Sequence, residues 1–252
     1  MRISNRWLGT LGCALLLLVL QGCETRSISD SGYRTGYGRG DANPFYQGEL
    51  TEFEVLGVER GAGVAEGDIA RALEDYKPIT LSKGASVMLI QSGAPIPDQA
   101  MVEALSHSYR VGIFGGQPPR APTQDAGRPE PASSYATTLR VAAARGGYEK
   151  LLVYWGVLES GQENLSTRTV SWVPVVGWYL PDQRQRMRIR LKLALVDVKT
   201  GNWDLFAPEP IEDRAISSML NREKADQGQV ELLKRKAYPA AVRALEARYA
   251  QR

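Results

Sequence analysis

The sequence has 252 residues, with 31 Lys or Arg against 28 Asp or Glu and 43% hydrophobic residues. This near balance of charge argues against a nucleic-acid-binding protein, which usually presents a strongly basic field. Two cysteines and one histidine, His107, exclude a zinc or iron site built from several Cys or His ligands, and no Asp-x-Asp-x-Asp calcium loop occurs. We therefore expect no metal and no cofactor.

A short apolar run over residues 8–20 follows two arginines near the N-terminus and ends in Leu-Gln-Gly-Cys, with the cysteine at position 23. The run is shorter than the roughly 20 apolar residues that a membrane-spanning helix needs. The junction resembles a bacterial lipoprotein signal. The resemblance implies that residues 1–22 are removed and that Cys23 is acylated. The alternatives are an ordinary secretory signal and an uncleaved anchor.

Residues 24–48 are rich in Gly, Ser, Arg and Tyr and show no apolar periodicity. They predict a flexible tether over 23–48, followed by a single globular domain over 49–252. In the alternative, the tyrosines at 33, 37 and 46 become ordered on a partner.

Periodicity and turn residues predict the elements of the domain. In chain order they are an extended segment at 50–58, a helix at 68–76, a strand at 85–91, a helix at 98–107, a strand at 109–114, a proline-rich surface loop at 115–131, a helix at 133–145, a strand at 151–158, a strand at 186–198, a returning strand at 203–206, and helical structure from 217 to 252 that is interrupted near Pro239.

Two of these strands define the fold class. The strand at 151–158 is apolar on both faces, as a central strand is. The strand at 186–198 alternates strictly, which predicts one buried face and one solvated face. The buried set is Met187, Ile189, Leu191, Leu193 and Leu195. The order of elements predicts an α+β fold (α/β sandwich), a mixed sheet with helices packed mainly on one face.

The strand and turn that read RIRLKLALVDVKTG, with the preceding tether, resemble the periplasmic domains of envelope lipoproteins related to the curli secretion lipoprotein and to the N-terminal domain of the Tol translocation protein. The resemblance covers roughly residues 85–210 at the level of topology. It implies a domain that works in the periplasm.

Catalytic chemistry has weak support in the sequence. Ser92, Asp98 and His107 would be the members of a hydrolase triad, yet no Gly-x-Ser-x-Gly elbow occurs. His107 lies at a predicted helix end, where an imidazole complements the helix dipole. We therefore assign no catalytic residue and favour a protein that is not an enzyme.

Four basic side chains at two-residue spacing are predicted on the solvent-exposed face of the alternating strand: Arg186, Arg188, Arg190 and Lys192. Such a ridge is suited to anionic polysaccharide, lipopolysaccharide or phospholipid headgroups. The alternative, which we favour, is a solvated face or an edge strand protected by charge.

The segment SWVPVVGWYLP at 171–181 is apolar, and Pro174 excludes a regular inner strand. It is predicted either to fold back into the core or to contact a protein partner. In the second case the anchors are Trp172, Val175, Val176, Trp178 and Tyr179. Each half of a hairpin formed by this segment would be shorter than the 9–11 residues that a membrane-spanning strand needs, which argues against a spanning pore.

These observations together predict a membrane-anchored periplasmic lipoprotein, a non-enzymatic assembly or partner-binding module of the cell envelope whose partner is a protein or further copies of the chain. The alternatives are a lipid-anchored hydrolase of cell-wall peptides or glycans and a module that binds anions or polysaccharide. An Asp directly after the lipidated Cys favours inner-membrane retention in enterobacteria. Because Glu24 holds that place, we favour the outer membrane.

Overall fold

Seven strands of one mixed, open sheet organise the part of the chain that the structure describes. The structure is a computed structural model, and it describes residues 24–31, 43, 45–58, 66–118, 132–164, 183–217 and 222–250. The strands are β1 (Glu24–Ser27), β2 (Ser86–Gln91), β3 (Arg110–Phe114), β4 (Lys150–Asn164), β5 (Gln183–Asp197), β6 (Trp203–Phe206) and β7 (Ile211–Ser217). The helices are α1 (Glu52–Leu56), α2 (Glu66–Asp75), α3 (Gln99–Ser106), α4 (Ala132–Arg145) and α5 (Arg222–Ala250), and a 3₁₀ turn covers Ile28–Asp30.

The sheet has the order β3-β2-β4-β5-β6, with β1 beside β4 and β7 beside β5. Strands β3, β2 and β4 are parallel, whereas β5 is antiparallel to β4, β6 and β7. The β4–β5 ladder is long and runs from Lys150 opposite Asp197 to Asn164 opposite Gln183. Strand β2 pairs with β4 as far as Tyr154. We call the part beyond, residues 157–164 and 183–190, the arm.

Both faces of the sheet carry helices. On one face, Leu152 and Leu193 pack in a cluster with α3 and α5. On the other face, Val153 and Val196 pack in a cluster with α1 and α4. The predicted mixed sheet of the α+β class is confirmed. The sequence predicts helices mainly on one face. In the structure, α3 and the 29-residue α5 share one face, and α1 and α4 cover part of the other.

The predicted elements from 85 to 114 and from 133 to 206 have counterparts in β2, α3, β3, α4, β4, β5 and β6, and the helix predicted at 68–76 is α2. Strand β7, which pairs with β5 along the arm, has no counterpart in the prediction. Its sequence, IEDRAIS, lacks a clear alternation. Most of the proline-rich loop predicted at 115–131 lies outside the described residues.

The extended segment predicted at 50–58 is wrong at its centre, where α1 lies. The Thr51 side chain accepts a hydrogen bond from the backbone N–H of Glu54, and the Glu54 side chain accepts one from Thr51, so the two form a capping box. Gly57, with a φ of 71°, ends the helix in the left-handed region that glycine favours. Local capping therefore outweighs the alternating appearance of the segment.

The interruption predicted near Pro239 is also wrong, because α5 runs through it from Arg222 to Ala250. Ala237, Tyr238 and Ala241, on both sides of the proline, are buried in the core. Tertiary packing of this apolar stripe holds the helix together although the proline removes one backbone hydrogen bond. No helix of the described residues is long and apolar enough to cross a membrane.

Within the tether predicted over 23–48, the structure describes residues 24–31, 43 and 45–48. Glu24–Ser27 form β1, which pairs with β4 in the arm. Ile28, at 1% exposure, belongs to the main core cluster. Gly156 leaves the space for it, since a Cβ there would lie 2.6 Å from Ile28 Cδ1. Two buried side chains, Ile28 and Ser29, and four paired residues thus attach this segment to the sheet.

Candidate functional site

A chain of buried polar side chains joins the N-terminal segment to the end of β2. Tyr154 Oη donates to Gln91 Oε1 at 2.5 Å, and Gln91 Nε2 donates to Ser29 Oγ at 3.0 Å. Ser29 Oγ in turn donates to the carbonyl of Ser92 at 2.5 Å. The Ser92 hydroxyl accepts from the backbone N–H of Leu50 at 2.9 Å. Because these side chains are buried and hydrogen-bonded, their network positions the N-terminal segment and offers no reactive group.

A second group lies beside this chain, at the start of α3. Asp98 accepts from the Tyr238 hydroxyl and pairs with Lys234 Nζ at 2.9 Å. The Lys234 side chain is 7% exposed, and its Nζ also donates to the carbonyl of Ile28 at 3.4 Å. An open cavity of about 440 Å³ adjoins the group, lined by polar side chains that include Glu103, Glu231 and Arg235.

Burial keeps the two phenols of this region protonated. It is the largest cause that raises the pKa of Tyr154 well above its ordinary value, and the negative charge of Asp98 adds to it. Burial likewise raises the pKa of Tyr238, together with the neighbouring Tyr154 and Asp98. The two rings meet edge to face with centroids 5.9 Å apart. Both hydroxyls therefore act as hydrogen-bond donors within the fold.

The structure does not bring Ser92, Asp98 and His107 together as a triad. Ser92 bonds to the backbone of Leu50, and Asp98 to α5. His107 caps the far end of α3, where its exposed ring contacts the carbonyl of Glu103 at 2.7 Å. Asp98 and His107 flank opposite ends of the helix, roughly 13 Å apart at 1.5 Å per residue. The arrangement cannot relay a proton between these side chains.

The four cations of β5 each have a carboxylate partner. Arg186 Nε lies 2.9 Å from Glu212 Oε1, and Arg188 Nε and Arg190 Nε lie 2.7 and 2.8 Å from Glu159 oxygens. Lys192 pairs with Glu52 and lies over the ring of Trp155, 5.0 Å from its centroid. An anionic ligand would have to compete with these carboxylates. The role of this ridge in anion contact stays a prediction.

Cys23 and the predicted partner contacts Trp172, Val175, Val176, Trp178 and Tyr179 lie outside the described residues. Their attachment points are described: residues 165–182 leave the arm at Asn164 and return at Gln183, which pair with each other. Cys23 precedes Glu24, the first residue of β1. The arm therefore connects directly to residues 165–182, and β1, which follows Cys23, pairs with the arm.

Sequence reasoning missed the residues that hold the N-terminal segment, above all Lys234, Tyr238 and Gln91. Lys234 and Tyr238 act on groups that are remote in the chain, at Ile28 and Asp98. The helical spacing of the two residues gives no sign of these partners. Among the described residues, no group of His, Cys, Asp and Glu side chains is placed to hold a metal ion.

Fold and geometry define an α+β domain whose first strand follows a lipoprotein-type cysteine. The chain belongs to the YafT bacterial lipoprotein family, whose model matches residues 51–248. Membership in a bacterial lipoprotein family implies a lipid anchor in the cell envelope. The more specific resemblance to the curli and Tol families stays a prediction.

A comparison with curated proteins gave no match. Among solved structures, the chain is similar to a neuraminyllactose-binding hemagglutinin homolog from Helicobacter pylori, at 11% identity and a TM-score of 0.33. The match covers 70% of this chain and 96% of the other. A TM-score this low carries no conclusion for this protein.

Proposed function

We propose that the protein is a lipid-anchored, periplasm-facing lipoprotein that acts as a non-enzymatic assembly or partner-binding module of the envelope. The observation that carries the proposal is the lipoprotein-type junction at Cys23 in a chain of a bacterial lipoprotein family. Acylation of this thiol holds the domain at a bilayer without a spanning helix. Because Glu24 follows the cysteine, the proposed location is the outer membrane.

A non-enzymatic role is supported by the use that the fold makes of its polar groups. Ser92, Asp98 and Lys234 are engaged in hydrogen bonds or ion pairs that attach one part of the chain to another. A nucleophile and its base need to lie within hydrogen-bond reach of each other. Ser92 and His107 do not meet this requirement, since each bonds to backbone atoms elsewhere.

Partner binding is assigned to the segment at 171–181, which the arm carries. Its two tryptophans and its tyrosine are the residue types that dominate binding energy at protein interfaces. The flanking residues Asn164 and Gln183 end the longest ladder of the sheet, beyond the reach of β2. This attachment favours a contact outside the domain over a plug inside its core.

Two experiments test the proposal. Metabolic labelling with palmitate is expected to mark the native chain and to leave a Cys23→Ser variant unmarked. A photo-crosslinking residue at Trp178 is expected to capture a defined protein, or a second copy of the chain in a homo-oligomer. Trp203, which is 44% exposed on β6, is the matched control position. Equal labelling of both chains, or the same products from both crosslinking positions, would contradict the proposal.

A further inference from the structure

The chain leaves no spacer between the lipoprotein cysteine and the sheet. Glu24, the next residue, already pairs with Ser160 of the arm. Successive Cα atoms are 3.8 Å apart, so the position of residue 23 is fixed by β1 to within one residue. Whatever surface the cysteine is attached to therefore lies next to this part of the sheet.

Several contacts hold β1 in place. Ile28 fills the space above Gly156 in the core. The next residue, Ser29, donates to the carbonyl of Ser92 at 2.5 Å. At the end of β1, Ser27 Oγ donates a hydrogen bond to Glu49 Oε1 at 2.5 Å. These interactions lie within five residues of position 24, so the anchor is coupled to the body of the domain.

The direction of β1 decides which end of the sheet faces the anchor. Because β1 is antiparallel to β4, a step back from Glu24 moves toward Gly161, the outer part of the arm. The next row outward from Ser160 holds Gly161, which pairs with Arg186, and Arg186 pairs with Arg214. The other end of the ladder, Lys150 opposite Asp197, is eleven residues away, roughly 36 Å along the strands, and the turn at Lys199 follows it.

Charge at this row fits the phosphates of a bilayer. The backbones of Arg186 on β5 and Arg214 on β7 pair with each other in this row. Glu212 pairs with Arg186, whose side chain is still 44% exposed. Anionic headgroup oxygens at the level of the anchor would interact favourably with this partly exposed guanidinium group.

We infer that the outer part of the arm, residues 161–164 and 183–186, is held against the phospholipid surface that the acyl chains of Cys23 enter. The inference rests on the proposed acylation. The domain then has one orientation, with the β5–β6 turn pointing away from the membrane. A domain on a flexible tether would have no such preference.

The test uses the acylated lipoprotein in vesicles of phosphatidylcholine and phosphatidylglycerol. The mature sequence after Cys23 contains no other cysteine, so a thiol-reactive fluorophore can be placed singly at Thr25→Cys or Lys199→Cys. Both positions are exposed, and they lie near opposite ends of the sheet. A headgroup-attached nitroxide lipid is expected to quench the Thr25→Cys label several-fold more strongly than the Lys199→Cys label.

The control is the same protein with 25 Gly and Ser residues inserted between Cys23 and Glu24. Such a linker is flexible and has a reach of about 25–30 Å. In this chain the difference between the two labels is expected to disappear. Equal quenching without the insert, or a difference that survives the insert, would overturn the inference. Mass spectrometry of the same samples separates this result from failure of the proposed function, because an unacylated chain would show an unmodified N-terminus and would not float with the vesicles.

Discussion

Asp98 is a residue at which three parts of the chain meet. Its backbone N–H donates to Gln91 Oε1 at 2.7 Å, and its carboxylate accepts from α5 through Tyr238 and Lys234. Lys234 extends the connection to the carbonyl of Ile28. A buried cation is costly without a partner, so Asp98 stabilises the side chain that in turn holds the N-terminal segment.

Removal of the Tyr238 hydroxyl is expected to weaken this group. Hydrogen bonds to charged acceptors contribute more than neutral ones, so Tyr238→Phe should lower the free energy of unfolding by about 1.5–3 kcal/mol. Urea unfolding of the detergent-solubilised lipoprotein, followed by tryptophan fluorescence, measures the change. Tyr76→Phe, at a side chain that is 58% exposed, is the control and should have little effect. Equal losses in the two variants would contradict the assignment.

Glu49 gives the attachment of β1 a pH dependence. Burial raises the pKa of its carboxyl, and the Ser27 hydrogen bond and the charge of Lys192 only partly counteract it. The folded state therefore holds the proton to higher pH than the unfolded chain. The contribution of Glu49 to stability is full below the unfolded pKa and is lost as pH rises through the folded pKa.

Glu49→Gln removes this titration and keeps an oxygen that can accept from Ser27. The variant is expected to lose less stability than the parent between acidic and neutral pH, as measured by unfolding midpoints across that range. A steeper loss in the variant would show that the carboxylate stabilises the segment instead.

At the scale of elements, the docking of the 3₁₀ turn on β4 depends on Gly156. A Cβ at this position would lie 2.6 to 2.9 Å from three Ile28 carbon atoms, closer than side chains approach each other. Gly156→Ala is therefore expected to detach β1 in a measurable fraction of molecules. Trypsin should cut faster after Arg26, whereas its rate of cleavage within α5 should change little.

The matched control is Gly228→Ala in α5, where nothing lies within 4 Å of an added Cβ. Alanine there should stabilise the helix by up to about 1 kcal/mol and leave cleavage after Arg26 unchanged. If Gly156→Ala did not change the Arg26 rate, Ile28 would not be the side chain that holds β1.

Elements whose signal is local could be predicted from the sequence. The alternation of Met187 to Leu195 in β5 and the apolar run of β4 report directly on burial, and both strands include the predicted cores, although β4 continues to Asn164 and β5 begins at Gln183. The helix α1 was available from the Thr51 and Glu54 spacing of a capping box. Strand β1 could not be predicted from the sequence. Its four residues, ETRS, have no apolar periodicity, and their conformation is set by pairing with the remote strand β4.

The candidate site shows the same limit. Cys23 is recognisable because its signal lies in the adjacent apolar run. Tyr238 and Asp98 are far apart in sequence, and no local pattern announces their contact. Pro239 suggested a break, yet burial of the residues around it outweighs the loss of one hydrogen bond.

At the scale of the whole molecule, an anchor that is continuous with a strand differs from an anchor on a flexible linker. A linker lets the domain sample many heights and orientations, whereas β1 begins at the residue next to Cys23, the proposed site of acylation. By the proposed orientation, the ends of the arm at Asn164 and Gln183, between which residues 165–182 are connected, face the bilayer. A partner of this segment is therefore expected to lie in or beside the membrane.

The most direct test of the account is hydrogen exchange, read by mass spectrometry, on the peptide that begins at Cys23 in the membrane-bound protein. We expect the peptide to carry the mass of its acyl groups and to show amides of residues 24–28 that exchange far more slowly than unprotected amides. An unmodified cysteine, or complete exchange of these amides within seconds, would contradict the account.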